Sequence, residues 1–176
     1  IARRQRQMCI RDRGNVAGGD ATEYLNVPNQ FMKDCVRKIL VEKGIPVWFG
    51  ADCHPMMDRE NGAWATDLFE YGRVYGVDFD LDKEARVRFA DSAMNHAMAF
   101  AGVDVADDGT TTRRWRVENS WGTDIADKGY FTMSDDWFTE YVYEVAVPKN
   151  LLPEEYRKAL ELSLIHISEP TRPLYI

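Results

Sequence analysis

Phe31, Cys35 and Ile39, with Met32, Val36 and Leu40 beside them, recur at helical spacing with charged residues between. That period predicts an amphipathic helix running to Val41. Asn26 is placed to cap it, Pro28 is tolerated in its first turn, and Gly44 supplies the stop. Val47-Trp48-Phe49 then reads as a short apolar strand ended by Gly50. Residues 51–66, rich in Asp, Pro, Gly and Asn, read as loop. Asp82 opens a second short helix, with Ala85, Phe89 and Ala90 on one face. From His96 to Val105 the chain is small and apolar, the pattern of a buried strand. Asp107-Asp108-Gly109 marks a turn, and Thr112 to Glu118 alternates as a strand with Trp115 and Val117 on one face. Gly129 to Met133 and Tyr143 to Val147 are further strands, separated by a short helix or turn around Asp135–Tyr141. No internal repeat is evident.

At 176 residues, 45% of them hydrophobic and 12% aromatic, the chain can bury a core as one domain or as part of a larger one. No apolar run is long enough to span a bilayer, and no secretory pattern opens the chain. The three cysteines, Cys9, Cys35 and Cys53, are odd in number and unpaired in spacing, which suits a reducing, cytoplasmic setting. Residues 1–13 hold five arginines against Asp12, so the rest of the chain is more acidic than the net charge of −7. Such a body repels phosphate backbones and argues against nucleic-acid binding. Both ends, 1–13 and 163–176, resemble translated adapter DNA more than protein. They are expected to be a non-native leader and tail around a body spanning 14–162.

The candidate chemistry sits in two contexts, Met94-Asn95-His96-Ala97-Met98 and Val117-Glu118-Asn119-Ser120-Trp121-Gly122, with His96 and Asn119 23 residues apart. A Cys-His-Asn triad needs an imidazole that takes a proton from a thiol and an amide that orients that imidazole. Taken alone, a histidine at the start of an apolar strand is more commonly a packed rim residue, and Asn-Ser a turn. No cysteine present fits a nucleophile well: Cys9 lies in the suspect leader, Cys35 on the apolar helix face, and Cys53 in a loop beside Asp52 and His54. Asp52, Cys53, His54 and Asp58 mix hard and soft donors at no zinc spacing, so they read as a polar surface loop and no metal is expected. Asp104, Asp107, Asp108, Asp135 and Asp136 fit turn and helix-start roles.

Several blocks in order resemble the bleomycin hydrolase and aminopeptidase C family of papain-like cysteine peptidases. They are Gly44-Ile45-Pro46-Val47-Trp48-Phe49-Gly50, Tyr75-Gly76-Val77, Met94 to Met98, Arg116 to Gly122, Lys128-Gly129-Tyr130 and Asp136 to Val145. The resemblance covers about Asn26 to Glu161. It implies an α+β papain-like fold, of which this chain would be the C-terminal, strand-rich, barrel-like part. It makes His96 the general base and Asn119 its orienting amide, with Trp121 shielding the pair, Ser120 beside it and Gly122 turning the backbone away. In papain-like enzymes these residues follow the nucleophile by roughly 130–150 positions, whereas 95 residues precede His96. The cysteine is therefore expected upstream of residue 1, and this chain alone is expected to be inactive. The activity implied is removal of N-terminal residues from peptides, in a cytoplasmic homohexamer, without a cofactor. The family's cleft-filling C-terminal tail has no counterpart after Glu161. Two alternatives are a papain-group endopeptidase fragment and a non-catalytic peptide-binding module.

Overall fold

The computed structural model describes residues 24–79 and 81–165, the last four of them by backbone alone. The leader expected at 1–13 lies outside the described residues. Of the expected tail only 163–165 lie inside, where they continue a helix.

Helix α1 (Asn29–Lys38) runs into a π-helical turn at Ile39–Lys43 and stops at Gly44, whose φ is +62°. The stop falls where the sequence places it. The start does not: Pro28 occupies the cap position and no side chain caps the first turn. The Asn29 amide instead donates to the Thr139 carbonyl at 3.1 Å, tying the helix to a distant element.

The strands are β1 (Val47–Ala51), β2 (Met57–Asp58), β3 (Ala63–Trp64), β4 (His96–Val105), β5 (Thr112–Glu118), β6 (Tyr130–Ser134) and β7 (Val142–Val145). They form one curled sheet in the order β2-β3-β6-β5-β4-β1-β7, antiparallel except for β3 against β6. Two short helices, α2 (Tyr71–Tyr75) and α3 (Lys83–Arg88), lie between β3 and β4. Helix α4 (Asp135–Tyr141) separates β6 from β7, and α5 (Glu154–Ile165) follows a 3₁₀ turn at Lys149–Leu151. This is the α+β, half-barrel arrangement expected of the C-terminal part of a papain-like fold.

The alternation in β5 does what its pattern predicts, burying Trp115 and Val117 to 1% or less exposure. Their side of the sheet meets α4, where Trp137 and Phe138 are fully buried. Phe100 stacks on Phe49 at a centroid distance of 3.8 Å and on Phe138 at 5.3 Å. Lys33 of α1 crosses to Asp135 at 2.5 Å, and the Asp135 carboxylate also accepts from Thr112 Oγ1 and Trp115 Nε1. Asp135 is thus a shared acceptor joining α1, β5 and α4, more than the helix-start residue its position suggests. Ser134 is the cap of α4, its Oγ accepting from Trp137 N–H.

Three other expectations differ. β1 passes through Gly50 instead of ending there, because a Cβ at Gly50 would lie 2.2 Å from Met94 Sδ: the glycine admits a close neighbour within a strand. The 51–66 segment contains β2 and β3, two-residue strands too short for any periodicity to reveal. Asp82 does cap α3, accepting from Ala85 N–H at 2.7 Å, yet none of its residues is buried and Phe89 is 72% exposed.

Candidate active site

His96 opens β4 opposite Ala51 of β1. By strand alternation its side chain shares the face of the buried Met98 and Phe100. It sits at the strand end, half-buried, so the ring lies at the rim of the core instead of inside it. Asn119 follows the last residue of β5, and β4 and β5 pair with Ala99 opposite Glu118. Two adjacent antiparallel strands thus bring residues 23 apart in sequence to one end of the sheet.

The imidazole Nε2 and the Asn119 Oδ1 are 2.8 Å apart. Asn119 Oδ1 also accepts the peptide N–H of Ser120 at 2.8 Å. That second bond fixes the amide, since the reversed orientation would set NH₂ against a backbone N–H. With an oxygen facing it, Nε2 carries the proton and Nδ1 keeps a lone pair in the neutral ring. Nδ1 has no hydrogen-bond partner among the described residues. Asn119 Nδ2 is buried and likewise has no partner among them.

The indole of Trp121 stacks on the His96 ring with centroids 5.2 Å apart and planes at 19°. Its edge contact with Phe131, at 5.6 Å and 83°, ties it to β6, and the Arg59 guanidinium lies 5.2 Å from its centroid. Gly122 then turns at φ +92°, a conformation that disfavours any side chain. Gly129, at φ +87°, brings its carbonyl to Asn119 N–H at 3.2 Å, and a Cβ there would lie 2.8 Å from the Gly122 carbonyl oxygen. Two glycines therefore let the turn fold back tightly under Asn119.

Both described cysteines are free and buried. Cys53 is 2% exposed, and burial, followed by the neighbouring Asp52 carboxylate, pushes its thiol up to about 11. Cys35 is buried on α1 and its thiol is raised by the same desolvation. Cys9 lies outside the described residues.

The Asp52–Asp58 segment departs from the surface loop expected of it. Asp52 and Cys53 are buried at 5% and 2% exposure, and His54 alone of the four is exposed. Among the described residues no group of three or more His, Cys, Asp or Glu side chains is arranged to hold a metal ion. Asp52 instead bonds to Ser92 and Asn95, partners that sequence reasoning did not single out. One signal was available: Asn95 immediately precedes His96.

An open groove of about 2000 Å³ borders the β7 end of the sheet and reaches Ala97, the residue after His96. Trp48, Tyr143, Val145 and Lys83 are among its walls. Lys83 donates to the Thr139 and Val142 carbonyls, each at 2.7 Å, and burial lowers its ammonium to about 8.

A sequence profile of the peptidase C1-like family matches residues 3–170. The chain is 40% identical over 148 residues to aminopeptidase C of Lactobacillus helveticus, covering 84% of this chain and 32% of that protein. It is 42% identical over 150 residues to human bleomycin hydrolase, covering 84% and 32%. The crystal structure of PepW from Lactobacillus rhamnosis superimposes with a TM-score of 0.82 at 37% identity, covering 87% of this chain and 34% of that one. The chain thus spans about a third of the length of the relatives it matches.

Proposed function

Because the chain belongs to the peptidase C1-like family, we propose that it is the C-terminal part of a cysteine aminopeptidase, with His96 as general base and Asn119 as its orienting amide. One observation carries the reading: His96 Nε2 faces Asn119 Oδ1 at 2.8 Å, which leaves Nδ1 as the ring's proton acceptor. Relatives named aminopeptidase C and bleomycin hydrolase support the aminopeptidase class. The nucleophile is a cysteine elsewhere in the longer polypeptide, since Cys35 and Cys53 are buried with raised thiols.

In that protein the thiol gives its proton to His96 Nδ1 and sulfur attacks the carbonyl carbon of the N-terminal peptide bond. The C–N bond breaks as His96 returns the proton to the leaving amine, and a thioester remains. Water then adds to the thioester, giving its proton to His96, and the released sulfur recovers a proton as the free residue departs. Asn119 stabilises the imidazolium and holds its plane through both halves, while Trp121 covers one face of the ring. Peptide is the substrate, no cofactor enters these steps, and the same reading carries a cytoplasmic homohexamer as the working form.

The test is a matched pair of peptides, one with a free and one with an acetylated N-terminus, offered to the longer polypeptide. Stepwise release of residues from the free peptide alone is the expected result. Internal cleavage of the acetylated peptide would make it an endopeptidase, and hydrolysis of neither would make it a binding module.

A further inference from the structure

His96 enters β4 from an irregular stretch, Ser92–Asn95, that no strand pairing holds. Backbone bonds, Ser92 N–H to the Arg86 carbonyl at 3.2 Å among them, and a network of side chains hold it. Asn95 N–H donates to the Ala51 carbonyl at 3.0 Å, and its Oδ1 accepts Cys53 N–H at 3.0 Å. The backbone donor fixes the orientation of the Asn95 amide, so both its N–H groups point at acceptors. One meets Asp52 Oδ1 at 2.6 Å and the other His54 Nδ1 at 3.0 Å. The other oxygen of Asp52 takes the Ser92 hydroxyl at 2.7 Å. Ser92 Oγ, having given its proton there, accepts from Tyr143 Oη at 2.7 Å, which brings in β7. A single carboxylate, 5% exposed, therefore grips both ends of the Ser92–Asn95 stretch.

We propose that Asp52 is a positioning residue for His96, acting through Asn95 and Ser92 to hold the imidazole where Nε2 meets Asn119 and the ring meets Trp121. This rests on His96 being the base of the proposed peptidase. Nothing in the network touches the reacting atoms. It braces the segment from which residue 96 enters its pairing with Ala51. A buried carboxylate that accepts from two side chains is suited to that task, because any slip leaves a buried acceptor without its donor.

The test reads the His96 ring in the isotopically labelled chain by NMR: the Nε2–H resonance, protected by Asn119, and the His96–Trp121 ring-to-ring NOEs. Asn95→Ala, at an exposed residue, and Asp52→Ala are each expected to abolish the Nε2–H signal and weaken the NOEs. Amide signals away from residues 51–54 and 92–96 should stay in place. Asp52→Asn, which can still accept from Asn95, should restore the signal, and Asp52→Ala with Asn95→Ala should do no more than either alone. An unchanged Nε2–H signal in both alanine variants would overturn the proposal. So would global loss of amide dispersion in both, which would make the network structural only. Asn119→Ala separates the two claims: if it leaves the signal intact, the His96–Asn119 reading falls by itself.

Discussion

Asn119 does two jobs with one oxygen, accepting from Ser120 N–H and from the imidazole, each at 2.8 Å. Removing that oxygen leaves His96 free to rotate and to adopt the other tautomer, without disturbing the strands on either side. Asn119→Ala in the longer polypeptide should therefore lower kcat by about 10- to 100-fold with KM nearly unchanged, since orientation and not binding is lost. Steady-state kinetics on one substrate checks this, and a loss confined to KM would speak against an orienting role. Cys53 makes the opposite prediction. Its buried thiol, pushed up to about 11, is not the thiolate that alkylation requires near neutral pH. Peptide mapping after iodoacetamide at pH 7.5 should find Cys35 and Cys53 unmodified in the native chain and both modified in denaturant. His96, Asn119 and Trp121 were singled out by short contexts that resemble those of a peptidase family, and the fold brings the three side chains into contact. Asp52, Ser92 and Tyr143 were not legible, because the contacts that matter run across 40 and 51 positions and leave no local pattern.

Helix α3 touches the rest of the fold chiefly through Lys83 and Arg86. Lys83 donates to carbonyls at the C-terminal end of α4 and its ammonium lies 4.9 Å from the Tyr143 ring centroid; Arg86 pairs with Glu140. Desolvation lowers Lys83 from an ordinary 10.5 to about 8, so the native state disfavours the charged form. The cost is fully present below pH 8, fades as pH rises between about 8 and 10.5, and is gone above that window. Chemical denaturation across this range should show the wild type gaining stability relative to Lys83→Met by no more than about 3 kcal/mol. A difference that stays flat with pH would remove the buried-ammonium account. At this scale the long strands were legible, because β4 and β5 carry enough residues for burial to impose a pattern. β7 came out as Val142–Val145 where the sequence suggested Tyr143–Val147. The Asn29 tie to Thr139 and the parallel β3–β6 pairing depend on partners more than 60 residues away, beyond the reach of periodicity.

Among the described residues, the segment between β3 and β4 carries the largest run of exposed apolar side chains. Val74 is 75% exposed, Phe89 72% and Tyr75 67%, with Phe69, Tyr71, Val77, Phe79 and Leu81 also open to solvent. Single exposed apolar residues are ordinary, but so many within two dozen positions form a surface that binds hydrophobic dyes. Native chain should enhance ANS fluorescence, and Val74→Asp with Tyr75→Asp should reduce that enhancement while leaving the near-ultraviolet dichroism of the core tryptophans intact. No enhancement would mean that this surface is covered in solution. The proposal that His96 is the base of a thiol peptidase is a chemical one. Turnover of a free-amino aminoacyl-coumarylamide by the longer polypeptide, measured beside its His96→Ala variant with and without prior thiol alkylation, tests it most directly. The expected result is hydrolysis that alkylation abolishes and that falls by about 10³-fold or more in His96→Ala. Hydrolysis that survives the loss of His96 would contradict it.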